Sequence, residues 1–289
     1  MKASKVLGAA AVVAGSVVAV GAAACAVLSP RHGNPVIDQQ WRELSRYRFA
    51  HRGLHGAGMP ENSLAAFQHA RENGFGVELD VHLTADGGLV VIHDSDIARM
   101  CGRPGIVERM TLDELSECRL VGTGERIPTF DEALDVFACD PTGETELPPF
   151  VIVELKTRGD NHVELCEKAV ACLDAHLVRY CVESFDPRVV AWLRNNRPDV
   201  IRGLLAENCL GKKDLPVWMR VGGMTLASNA LVRPDFVAYR YEDHDNAAVR
   251  LSCGVLGAHL VAWTIQCEDD LLAAEAEGAV VIFEGFLPA

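Results

Sequence analysis

Two short stretches hold the side chains with the most chemical capacity. In Val77–His82, Glu78 and Asp80 stand two residues apart; in Val151–Lys156, Glu154 and Lys156 repeat that spacing. Side chains two apart on a β-strand share a face, so each pair projects to one side. The surrounding residues are Val, Ile and Leu, and ionisable groups on such strands are costly to bury unless paired or bound to a metal. Glu78, Asp80 and Glu154, converging on one point, suit a hard divalent cation such as Ca²⁺ or Mg²⁺. The same groups could instead form a buried ion-pair network with Lys156 or Arg52.

Two histidines share this placement at the end of apolar runs. His51 is followed by Arg52, and His93 by Asp94. Imidazoles with an ordinary pKa of about 6.5 can work as an acid–base pair near neutrality. Arg52 and Lys156 offer fixed positive charge for a phosphate. His69, His162 and His176 fall in helical stretches, and His32, His244 and His259 have no neighbouring constellation. His55 and His82 are close enough to play a supporting part. In Met59–Ser63, Asn62 can cap the helix that follows, and Glu61 and Asn62 are placed to face the same mouth.

These residues need strands to carry them. β-rich runs are expected at Tyr47–His51, Val77–Leu83, Leu89–His93, Phe150–Leu155, Tyr180–Phe185, Ile201–Leu205, Phe236–Tyr239, Leu260–Ile265 and Ala279–Phe283. Helical periodicity lies between most of them, at Ser63–Asn73, Phe130–Phe137, His162–His176, Pro187–Asn196, Asp245–Ser252 and Glu268–Glu277, with a weaker case for Pro216–Val232. Such alternation implies right-handed βαβ units and a parallel sheet. With Leu89–His93 hairpinned onto the second strand, eight βα units remain, which is the count of an α/β fold of the (β/α)8 TIM-barrel type. An open doubly wound sheet is the alternative, although no Gly-rich turn follows the first strand. Residues 94–128 are too long for a simple connection and read as an insertion or lid, with one short helix at Thr111–Cys118 opened by a capping box.

The chain has 289 residues and a net charge of −13, with no acidic residue before Asp38. A body this acidic excludes nucleic-acid binding through a broad basic surface. Val6–Leu28 is an uncharged run of 23 residues behind Lys2 and Lys5, long enough to cross a hydrocarbon core of about 30 Å. Residues 1–32 therefore read as one N-terminal transmembrane helix that anchors the protein to a membrane. A cleaved signal peptide or lipidation at Cys25 are the alternatives. Residues 33–46 read as a linker and 47–289 as the barrel domain. Leading lysines favour an extracytoplasmic barrel, whereas Arg31, Arg42, Arg46 and Arg48 and nine scattered body cysteines, none in a zinc-type spacing, argue the other way.

Taken in order, Ala50-His51-Arg52-Gly53, Pro60-Glu61-Asn62-Ser63, Glu78-Leu79-Asp80-Val81, Thr84-Ala85-Asp86-Gly87, His93-Asp94 and Glu154-Leu155-Lys156 resemble the glycerophosphodiester phosphodiesterase family. Glu183-Ser184-Phe185-Asp186-Pro187, Trp263-Thr264 and Ile282-Phe283-Glu284-Gly285-Phe286 extend the resemblance to the end of the chain. It implies a TIM-barrel enzyme that hydrolyses small-molecule glycerophosphodiesters to glycerol 3-phosphate and an alcohol with a divalent cation. Glu78, Asp80 and Glu154 match the metal ligands, His51 and His93 the acid–base pair, and Arg52 and Lys156 the phosphate contacts. Glu61 and Trp263 match supporting positions. Many members have Thr-Asp where this chain has Phe283-Glu284, so the pocket floor is expected to differ. Two other readings share the residues: a lysophospholipase D acting on membrane lysolipids, and a membrane-tethered binding protein without catalysis.

Overall fold

The computed structural model describes residues 34–140, 142, 147–209, 223 and 225–289. All nine expected strands form, as β1 Phe49–His51, β2 Gly76–Leu83, β3 Leu89–Val91, β4 Val151–Leu155, β5 Tyr180–Ser184, β6 Arg202–Ala206, β7 Phe236–Arg240, β8 His259–Ile265 and β9 Val280–Phe283. Apart from the antiparallel β2–β3 hairpin, every pairing is parallel. Because β1 pairs with both β2 and β9, the sheet closes into an eight-stranded barrel with β3 as an extension of β2. This is the TIM-barrel architecture expected from the alternation.

Strand parity divides the side chains between two layers. Val77, Leu79, Val81, Val151, Val153 and Leu155 face outward and pack with Phe67, Phe130, Leu134, Leu165, Val189 and Leu193 from the surrounding helices. The inward set fills the lower barrel with Phe49, Ile152, Cys181, Phe236, Val261, Val280 and Ile282. Room for the aromatics comes from absent side chains: a Cβ on Gly203 would lie 2.1 Å from the Phe236 ring.

The expected linker, residues 33–46, is corrected by the structure: Pro35–Leu44 is a helix that closes the barrel floor. Pro35 sits in its first turn, and the Asn34 side chain accepts hydrogen bonds from the amides of Val36 and Ile37, a start signal that the apolar terminus and the first strand obscured. Ile37, Trp41 and Leu44 recur at helical spacing and enter the inner core. The Trp41 indole stacks on the His259 imidazole, ring centroids 4.2 Å apart, and lies 5.5 Å from the Phe236 ring. Trp41→Ala is therefore expected to cost about 3–5 kcal/mol of stability, which denaturant unfolding measures; a loss below 1 kcal/mol would mean the helix does not hold the floor.

The insertion is a small folded unit. Helices at Ala98–Cys101 and Leu112–Ser116, with both halves of the Thr111 capping box formed, enclose a core of Val90, Ile92, Ile97, Met100, Val107, Leu115, Cys118, Leu120 and Ile127. Of the helix expected at Asp245–Ser252, only Ala247–Val249 is α-helical, and a π-helical turn follows over Arg250–Val255. Of the helix expected at Pro216–Val232, residues 216–222 and 224 lie outside the described residues; its tail, Asn229–Val232, is helical. Residues 1–32, expected to be the anchor, also lie outside them. Among the described residues no helix is long and apolar enough to cross a membrane.

Candidate active site

Strand register assembles the charged residues. His51 is level with Glu78 across the β1–β2 pair, Asp80 with Glu154 across β2–β4, and Glu154 with Glu183 across β4–β5. Neighbouring strands lie about 4.8 Å apart, so inward side chains at one level meet. Glu78, Asp80, Glu154 and Glu183 all enter the upper barrel, and none is more than 5% exposed. An oxygen from each of Glu78, Asp80 and Glu154 lies within 4.8 Å of the other two.

The loop after β1 brings cations and donors to this cluster. Arg52 and Asn62 both take left-handed backbone conformations, with φ of 56° and 53°, which are strained for residues with side chains and concentrate at functional sites. The Asn62 amide donates to the Arg52 carbonyl at 2.9 Å, closing the loop. Gly53 follows at φ 81°, where a Cβ would lie 2.9 Å from the backbone of Ala66. The result aims Asn62 Nδ2 at Asp80 Oδ2, 2.8 Å away, and brings Arg52 Nε to 3.5 Å from the same oxygen. Arg52 Nη1 donates to Glu61 Oε1 at 2.8 Å, and its amide to Glu78 Oε2 at 3.3 Å. From the end of β4, Lys156 Nζ bridges Asp80 Oδ1 at 2.9 Å and Glu154 Oε2 at 2.6 Å.

This is an ion-pair network with more carboxyl groups than cations to pair them. Four buried carboxylates face Lys156 and Arg52, and Arg52 is shared with Glu61. Burial pushes Glu78 well above the usual carboxylate range, reinforced by Asp80, Glu154 and Glu183; Glu183 is raised too, by burial and then by Glu154. Burial would also raise Asp80, but Lys156, His93, Arg52 and the Asn62 hydrogen bond outweigh it and hold Asp80 well below that range. A site with one firmly ionised carboxylate and three crowded neighbours that resist ionisation until more positive charge is supplied has the donor chemistry of a hard-cation site. The ion-pair and metal readings of the sequence thus describe one cluster.

Each candidate histidine is held at Nδ1 by a carboxylate. His51 Nδ1 lies 2.5 Å from Glu284 Oε2, and His93 Nδ1 lies 2.7 Å from Asp94 Oδ1. Fixing one ring nitrogen orients the ring and leaves Nε2 for chemistry; His51 Nε2 sits 3.9 Å from Glu78 Oε2. Burial lowers the pKa of His93. His82 supports this arrangement from below, with Nε2 at 3.1 Å from the His93 carbonyl and Nδ1 at 2.8 Å from Glu108. Glu284 occupies the position where a departure from the family pattern was expected to alter the pocket, and its longer side chain reaches His51.

Ion pairs bind the insertion to the mouth. Arg99 Nη1 and Nη2 take both oxygens of Glu61, at 2.9 and 2.7 Å, while its Nε meets Asp94 Oδ2 at 2.6 Å. Burial opposes ionisation of Glu61, yet Arg99 and Arg52 together pull its pKa down to about 2. Arg158, after β4, donates to Ser95 at 2.5 Å. The insertion is fastened to the loops after β1 and β4 and forms a wall of the pocket.

The structure thus brings together Glu78, Asp80, Glu154, Arg52, Lys156, His51 and Glu61, and places His93 beside Asp80, Lys156 and Arg52, whose charges act on it. Trp263, at the top of β8, stands edge-on to Phe185 with centroids 5.7 Å apart, and its buried Nε1–H has no hydrogen-bond partner among the described residues. The sequence reading assigned no role to Glu183, although its parity with Cys181 on β5 marks it as inward. It also passed over Arg99 and Glu108, whose contacts with Glu61 and His82 join residues distant in sequence.

Known proteins resemble this chain in sequence and in fold. Residues 51–237 match the model of the glycerophosphoryl diester phosphodiesterase family. A glycerophosphodiester phosphodiesterase of Caldanaerobacter subterraneus is 44% identical over 239 residues, covering 77% of this chain and 86% of that protein. A lysophospholipase D of Rattus norvegicus is 34% identical over 113 residues, 35% of each chain. Among solved structures, an Oleispira antarctica phosphodiesterase in complex with sn-glycerol 3-phosphate shares the fold with a TM-score of 0.66 at 22% identity, over 82% of this chain and 92% of that one. A family match that begins at His51 and takes in both acidic strands, together with a relative alike along most of both chains, places this chain in the glycerophosphoryl diester phosphodiesterase family.

Proposed function

We propose that the protein hydrolyses glycerophosphodiesters to glycerol 3-phosphate and an alcohol, with His51 and His93 as the acid–base pair. The observation that carries this reading is the pair of Nδ1-anchored imidazoles beside a buried carboxylate trio. Glu78, Asp80 and Glu154 would hold the divalent cation, Ca²⁺ or Mg²⁺. Bound there, such a cation neutralises phosphate charge and polarises the phosphorus–oxygen bonds. Arg52 and Lys156 bind the non-bridging oxygens and stabilise the charge that grows on them. One histidine takes a proton from the nucleophile, which is a water, or the neighbouring glycerol hydroxyl by way of a cyclic phosphate that water then opens to glycerol 3-phosphate. As the ester bond breaks, the other gives a proton to the departing alcohol oxygen.

The lysolipid reading has the partial likeness to the rat lysophospholipase D in its favour. A lysolipid chain needs an apolar rim, and in the insertion Ile97, Met100, Ile106 and Met110 are the candidates for one; Ile97 and Met100 are buried in its core, and Ile106 and Met110 are half-buried. That leaves the mouth charged, which favours small polar diesters. For residues 1–32 we propose a single membrane anchor with the barrel on the extracytoplasmic side, testable by protease accessibility in intact and lysed cells.

The deciding assay uses the full chain in detergent, stripped with EDTA. Glycerol 3-phosphate release from glycerophosphocholine, glycerophosphoethanolamine and glycerophosphoglycerol is followed as Ca²⁺, Mg²⁺ or Mn²⁺ is returned. Metal-restored release is expected. Release only from lysolipids would transfer the assignment to that reading, and binding without turnover would leave a binding protein.

A further inference from the structure

We propose that Asp131, Asp135, Cys172 and His176 form a second metal site on the outer face of the barrel, taking a divalent cation of tetrahedral preference such as Zn²⁺. The site is independent of the catalytic reading and lies between two neighbouring helices, Phe130–Val136 and His162–Ala175. Asp131 and Asp135 are four residues apart on the first. Cys172 and His176 are four apart at the end of the second, so each helix presents two donors on one side. None of these residues takes part in the charged mouth.

Three donor pairs already stand near ligand separations. Cys172 Sγ is 3.4 Å from Asp131 Oδ1; His176 Nε2 is 3.4 Å from Asp135 Oδ1 and 3.9 Å from Asp131 Oδ1. Bonds of about 2.0–2.3 Å in a tetrahedron place neighbouring donors about 3.3–3.8 Å apart. The carboxylate, thiol and imidazole donors of Asp131, Cys172 and His176 lie within 4.8 Å of one another. His176 Nδ1 lies 2.8 Å from the Cys172 carbonyl, which can only accept, so Nδ1 carries a proton and Nε2, which faces the carboxylates, is the nitrogen left to ligate a cation. That is the orienting contact a ligating histidine requires.

Donor chemistry separates this site from the barrel. An imidazole nitrogen and a sulfur beside carboxylate oxygens select a borderline cation, whereas the all-oxygen trio of Glu78, Asp80 and Glu154 suits Ca²⁺ or Mg²⁺. On binding, the Cys172 thiol proton is released to solvent and the thiolate, imidazole and carboxylates share the cation. The cation then clasps two helices whose ligands are 41 residues apart at Asp131 and Cys172. That separation explains why no zinc-type spacing shows in the sequence.

The test uses Co²⁺ as a spectroscopic substitute, added to the full chain in detergent with a phosphine reductant. A thiolate-to-cobalt charge-transfer band is expected, saturating at one equivalent and displaced by Zn²⁺. It should vanish in Cys172→Ser and weaken in binding by about tenfold or more in His176→Gln, with phosphodiesterase activity in saturating Ca²⁺ or Mg²⁺ unchanged in both. Zn²⁺ should raise the melting temperature of the wild-type protein, and the increment should be smaller in both variants. Cobalt binding with no thiolate band, a band that persists in Cys172→Ser, or equal Zn²⁺ stabilisation of wild type and variants would each overturn the site.

Discussion

His51→Ala and His93→Ala are each expected to lower kcat by about 10²–10⁴-fold, the range supplied by a positioned general acid or base. Neither should unfold the protein, because both rings lie at the mouth, above the packed floor. The two anchoring carboxylates sharpen the test. Glu284→Gln keeps the side-chain length but replaces the charged acceptor 2.5 Å from His51 Nδ1, and Asp94→Asn does the same for His93. A weakened anchor leaves ring and tautomer less fixed, so each is expected to lower turnover by about tenfold or more. Rapid kinetics with glycerophosphocholine, beside circular dichroism of every variant, would settle the matter. Near-normal turnover in either alanine variant would remove that histidine from the reaction.

Glu78→Gln is expected to separate activity from stability. Removing a ligand forfeits several kcal/mol of transition-state stabilisation, which amounts to a fall in rate of about 100-fold or more. In EDTA the same change relieves the repulsion among Glu78, Asp80, Glu154 and Glu183, which share a buried space with Lys156 and Arg52 as counter-charges. The metal-free variant should therefore melt at or above the wild-type temperature, as expected where a function-bearing site carries strain. Asp80→Asn should behave oppositely in stability, since Asp80 is bound by Lys156, Arg52 and Asn62 at once. Scanning calorimetry of both variants in EDTA tests the contrast; if both melt lower by equal amounts, the charge surplus is not what governs the site.

The strand positions, the barrel and seven of the nine candidate residues' mutual proximity could be read because they depend on local pattern. Alternation fixes which residues face inward, and Glu78–Asp80 and Glu154–Lys156 are legible as inward pairs from spacing alone. The helix Pro35–Leu44 escaped because its apolar face meets residues such as Phe236 and His259, far along the chain. The same holds for the Arg99–Glu61 clamp and for Glu108 beneath His82. Which carboxylate orients which histidine depends on register and loop path. The Glu284 substitution was visible, but only the closed barrel brings β9 beside β1 and thereby Glu284 to His51.

The helix at the floor also gives the barrel a polarity. Asn34 begins that helix at the pole opposite the mouth, so the chain preceding it leaves from behind the catalytic chamber. Only five residues separate Leu28 from Asn34, a reach of at most about 20 Å when fully extended. Under the proposal that Val6–Leu28 is a membrane anchor, the barrel would be tethered from its base, with the mouth at the opposite pole. Its substrates would then arrive by diffusion from solution, and lipids of the supporting leaflet would have to leave the bilayer to be cleaved.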